Sequence, residues 1–161
     1  MRYIWLFVTG AAACAGSGGN APGTVSPREG VTVSRDQFES LRWLEGRWSS
    51  GRSSARQFER YEFVNDTTIR IRTYPNASFR TPADSSFVVL RDRRLFAIWR
   101  SAEWVATDIT PTSVSFAPLE GAPNTFSWRS TGPDRREVRS VWEDAEGRTQ
   151  RRLLRLRRVR P

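Results

Sequence analysis

The sequence predicts an all-β domain, an antiparallel up-and-down β-barrel of about 8–10 strands behind one short helix. Three observations carry this. From Trp48 to the C-terminus the chain breaks into short β-type runs with turn residues between them. Several runs alternate strictly: Tyr61 with Phe63, Ile69 with Ile71, Phe126 with Trp128 and Leu154 with Leu156 share faces, while Arg, Glu, Ser and Thr fill the others. After Gly46 no helical pattern is long enough to serve as a parallel crossover. A β-sandwich is the alternative; closure into a barrel leaves no unpaired edge.

The elements follow in order. Residues 1–13 read as a signal peptide, with Arg2 before an apolar run from Tyr3 to Val8 and small residues after it. Ala11-Ala12-Ala13-Cys14 is similar to a bacterial lipobox, which would make Cys14 a lipidation site; an ordinary A-x-A cleavage site with Cys14 incidental is the other reading. Residues 14–34, rich in Gly, Ser, Ala and Pro, read as a flexible tether. The folded domain is expected over 35–161. Ser34 is a helix N-cap, Asp36 follows in the first turn, Phe38, Leu41 and Leu44 lie at helical spacing, and Gly46 ends the helix. Trp48 opens the first strand. Further strands are expected at 56–64, 67–74, 85–92, 94–100, 103–110, 112–118, 124–131, 136–144 and 148–159, with a longer loop at 75–84.

Composition excludes more than it assigns. The chain has no His, which removes Ser-His-Asp and Cys-His catalysis and His-bound metal or haem. Cys14 is the only Cys, so there is no disulfide framework and no Cys cluster for a metal. No cofactor is expected. All 26 basic residues are Arg, a uniformity that fits Arg-biased coding better than selection for phosphate. The charge of +9 is uneven: from Arg148 onward there are seven Arg and no acid. Nucleic acid is not an expected partner, because the aromatics alternate like core residues.

The stretch "WLEGRW…FERYEF", a short helix leading into Gly-x-Trp and then a β-meander, resembles the lipocalin-like (calycin) superfamily, and within it small bacterial lipoprotein domains of unknown function. The resemblance implies that Trp48 lies across one barrel end beneath the plugging helix and packs on a basic side chain from the last strands. It also implies a fold that often hosts small apolar ligands. The nitrobindin-like haem barrels share the Gly-x-Trp opening but hold haem through a His that this chain lacks.

Trp48, Tyr61, Phe63, Trp99 and Trp128 are candidate ligand-lining residues, since Trp and Tyr supply large apolar walls with a polar handle; the competing reading is a barrel filled by its own side chains. Arg152 and Arg158 share strand parity with Leu154 and Leu156, so an inward Arg could meet a ligand carboxylate, as interior Arg residues do in the similar fatty-acid-binding barrels. Glu59 and Glu62, three apart on a strand, point to opposite faces and cannot act as a pair; one is expected salt-bridged and one solvated, and Glu62, if inward, could form an internal ion pair with Arg70 or Arg72. The expected function is a non-catalytic binder of a small apolar or amphipathic, anionic ligand, tethered in the bacterial envelope through Cys14. The alternative is a filled-core domain that docks on a partner protein or an anionic membrane surface. An enzyme ranks third: some calycin-like barrels transform lipids, but no catalytic constellation is recognisable here.

Overall fold

The computed structural model describes residues 25–26, 29–51, 56–119 and 121–160. The signal peptide, Cys14 and residues 15–24 of the expected tether lie outside the described residues.

Ten strands form one closed antiparallel barrel: β1 (Gly46–Ser50), β2 (Gln57–Asn65), β3 (Thr68–Tyr74), β4 (Asp84–Arg91), β5 (Arg94–Trp99), β6 (Ala102–Thr110), β7 (Ser113–Pro118), β8 (Asn124–Gly132), β9 (Arg135–Glu143) and β10 (Thr149–Val159). Each strand pairs with its sequence neighbour, and β1 closes the ring on β10 through Trp48↔Arg158 and Ser50↔Leu156. The up-and-down barrel is thus the observed architecture, and it has no open sheet edge. A closed antiparallel barrel with one short helix is consistent with a lipocalin-like fold.

The helix α1 (Arg35–Glu39) begins at a capping box in which Ser34 Oγ accepts from Gln37 N while the Gln37 side chain accepts from Ser34 N. It tightens into a 3-10 turn at Ser40–Leu44. Phe38, Leu41 and Leu44 are fully buried, each contributing about 1.5–3 kcal/mol against exposure. They seal the barrel end where β1 starts; Phe38 meets Phe63 edge-on at 5.4 Å. We call this the helix end and the opposite one the far end.

The N-terminal segment departs from expectation. Composition assigns 14–34 wholly to a tether, yet Val33 is only 1% exposed. Its N–H donates to Arg93 O, Val31 N–H donates to Ala106 O, and Val25 N–H donates to Pro118 O. The Ala106 bond lies at a β-bulge, where the β6–β7 register shifts between Ala106 and Asp108. Val25 also packs on Phe96, Val105 and Leu119 outside the wall. Small β-branched residues inside a Gly- and Pro-rich stretch are enough to lay this strap on the barrel. It runs from Val33 at the helix end to Val25 beside the far end.

Candidate functional site

The alternation of each strand decides what faces inward. On β2 these are Glu59, Tyr61 and Phe63, and Glu59 is 2% exposed. On β9 they are Arg136, Val138 and Ser140, and Arg136 is 1% exposed. A buried Arg and a buried Glu therefore meet inside the barrel. Arg136 Nη2 donates to Glu59 Oε2 at 2.8 Å, and Tyr61 Oη donates to the same oxygen at 2.9 Å. The guanidinium carbon of Arg136 lies 3.9 Å from the centre of the Tyr61 ring and 4.5 Å from that of Trp48. Burial pushes the Glu59 carboxyl above its ordinary range, against the opposing pull of Arg136, the Tyr61 hydrogen bond and Arg152. Burial also pushes the Tyr61 phenol far up, so it stays protonated and remains a donor.

Beside this pair Arg136 Nε and Nη1 and Trp128 Nε1 have no partner among the described residues; elsewhere in the interior the Ser50 hydroxyl and the acceptor Asn124 Oδ1 have none. Tyr61 touches both Arg136 and Trp128, whose ring lies 5.8 Å from its own. Buried N–H and O–H groups are almost always satisfied, and each orphan costs about 1–3 kcal/mol. The N–H groups of Arg136 and Trp128, which can only donate, complement an anion or another acceptor-rich group.

Aromatic packing fills the middle of the interior and reaches toward the far end: Phe116 stacks on Phe126 at 4.8 Å, Trp128 meets Phe116 at 5.5 Å and Phe126 at 5.4 Å, and Trp104 meets Phe126 at 5.7 Å. Toward the far end the short inward residues Ser50, Ser86, Ala102 and Ser140 are interspersed with the larger Trp99, Trp104 and Asn124. Inward Arg152, Gln150, Trp142 and Leu154 are there only partly buried, so solvent reaches into this end.

The expected site residues separate accordingly. Tyr61 and Trp128 come together, beside Arg136. Arg152 faces inward, as its parity with Leu154 requires, and is near enough to act on Glu59. Trp99 sits at the far end with its indole N–H on Asp84 Oδ2 at 3.0 Å. Phe63 belongs instead to the helix contact, where Arg42 also lies 4.1 Å from its ring centre.

Trp48 and Arg158 form the floor at the helix end. The Trp48 indole donates to Leu44 O at 2.7 Å, and Arg158 stacks 4.4 Å from its ring centre. Arg158 also donates to the carbonyls of Glu45, Trp43 and Pro133 and pairs with Asp134 at 3.2 Å. Arg158's donors are thus engaged in closing the barrel. This floor also accounts for Gly46, whose φ is +111° and whose added Cβ would stand 2.5 Å from Arg158 Nη1. Glu62 points outward, between Arg60, Arg70 and Arg72 at 2.7–3.1 Å, while Glu59 is the inward carboxylate.

Sequence reasoning missed Arg136. Its parity with Val138 and Ser140 places it inside, but one Arg among 26 draws no notice. Among the described residues no group of three or more His, Cys, Asp or Glu could hold a metal. No family model, curated protein or solved structure matches the chain.

Proposed function

We propose that the chain is a lipocalin-like, non-catalytic barrel that takes a small amphipathic ligand with an anionic group through its far end. The orphaned donors of Arg136 and Trp128, both packed against Tyr61, carry this reading. An anionic group would satisfy donors that otherwise stay desolvated and unpaired, and Arg152 stands on the path from solvent. The short inward side chains of Ser50, Ser86, Ala102 and Ser140 would leave room for an apolar tail beside the aromatic cluster of Trp104, Phe116, Phe126 and Trp128. In this reading Cys14 is lipidated and the barrel is tethered in the bacterial envelope, where amphipathic molecules are abundant. The aromatic packing favours a second reading, a filled-core interaction domain without a ligand.

The test is a titration of the purified chain with a medium-chain fatty acid and the matching alcohol, followed by Trp fluorescence. The acid should give a saturable change. Arg152→Met should weaken the acid at least tenfold, the scale of a charge-assisted hydrogen bond, and leave the alcohol within about twofold. If no acid in a chain-length series gives a saturable change, the filled-core reading replaces this one.

A further inference from the structure

We infer that the outer wall formed by β8, β9 and β10 is a docking surface for an anionic lipid bilayer. This inference does not rest on the interior site. Outward alternation places Arg129 on β8, Arg135 and Arg139 on β9, and Arg151, Arg155 and Arg157 on β10. Glu137 and Glu143 are the only acids on that face. Glu137 is shared by Arg155 at 3.1 Å and Arg139 at 3.3 Å, and these arginines hold its carboxyl below the ordinary range. Arg129, Arg135, Arg151 and Arg157 make no ion pair among the described residues. Arg135 and Arg157 are moreover direct partners across the β9–β10 ladder. Like charges directly opposite each other destabilise a sheet, so the wall retains a repulsion that an external anion would relieve.

Two further observations select the occupant. Leu153, 43% exposed, stands on the same face with Arg151 and Arg155 along the strand and Arg139 across from it. An apolar side chain ringed by guanidinium groups suits the head-group boundary, with phosphates for the arginines and acyl carbon for the Leu. The outward positions of these strands carry no aromatic side chain on which bases could stack, which disfavours single-stranded nucleic acid. The barrel walls are not alike in this respect. On the β2–β3 side Arg60, Arg70 and Arg72 are each ion-paired with Glu62.

The experiment is flotation of the full chain carrying Cys14→Ser, so that acylation contributes nothing, with vesicles of phosphatidylcholine alone or with about 30% phosphatidylglycerol, enough to set up the negative surface potential of an anionic leaflet. The anionic vesicles should bind more tightly, and the excess should vanish at high salt. Arg135→Gln with Arg157→Gln should lower that excess about 25-fold, near fivefold for each charge removed. Arg60→Gln with Arg72→Gln removes the same charge from the other wall and should change it less than twofold. Leu153→Ser should weaken the binding that survives at moderate salt. Equal loss from both walls would overturn the assignment in favour of net charge alone. No preference for anionic vesicles would overturn it outright. Tighter binding to a mixed-sequence RNA duplex at the same salt, lost in the Arg135/Arg157 variant, would replace lipid with nucleic acid. Circular dichroism melts of each variant confirm that these exposed substitutions leave the barrel folded.

Discussion

Arg136 and Glu59 are the most costly residues in the barrel to leave alone. Each is at most 2% exposed, and each has the other as its counter-charge. Removing one partner of such a pair typically costs about 3–5 kcal/mol, whereas removing both can be nearly neutral. Arg136→Met should therefore destabilise the chain strongly in urea unfolding. Adding Glu59→Gln, which keeps an acceptor for Tyr61 Oη, should restore at least about 2 kcal/mol of that loss. Simple additivity of the two changes would show that the ion pair does not form. The sign with pH follows from the raised Glu59 carboxyl. In the unfolded chain it ionises near 4.5, but in the barrel it does so only at higher pH. Its contribution to stability is thus fullest below the unfolded value and falls as pH rises through the folded one. Parity with Tyr61 and with Val138 puts both residues inward, yet the carboxylate considered inward was Glu62 and Arg136 drew no notice. Their meeting was not legible, because it needs β9 brought across the interior to β2, and only barrel closure does that.

The strands themselves were almost wholly legible, each expected range agreeing with the observed one to within a residue or two, because alternation and turn chemistry repeat in every hairpin. The β9–β10 turn shows how strongly such a connection is specified. Asp144 accepts from the backbone N–H groups of Glu146 and Arg148 and from the side chains of Arg148 and Gln150. Chiefly through the Arg148 backbone bond, this cage holds its carboxyl at about 2, against 3.8 ordinarily. The ionised form favours the folded turn above pH 3.8, and that preference is lost as pH falls through about 2. Carbon-detected NMR titration should give Asp144 a midpoint near 2. A midpoint at the ordinary value would mean the cage is open in solution. The strap was the element the sequence concealed. Its residues have loop composition, and what orders them is the bulge at Ala106 and the apolar wall around Phe96, features of strands far along the chain.

For the whole molecule, the strap moves the working boundary of the domain toward the N-terminus. A chain starting at residue 34, which keeps the Ser34 cap, loses Val33 and Val31 with their backbone bonds and uncovers Phe96 and Val105. It should be less stable than a chain starting at residue 25 by about 3 kcal/mol, from one buried Val and two or three hydrogen bonds. Equal melting temperatures would show that the strap contributes nothing. The strap also determines how force enters the molecule. A load on the chain ahead of Val25 arrives first at Pro118, then at Ala106, and last at Arg93. Pulled outward from the wall, these bonds are strained one at a time and the segment peels; pulled along the barrel axis, they share the load in shear. In both directions the β1–β10 seam lies downstream of all three attachments, so the strap acts as a mechanical fuse that can release length without opening the ring.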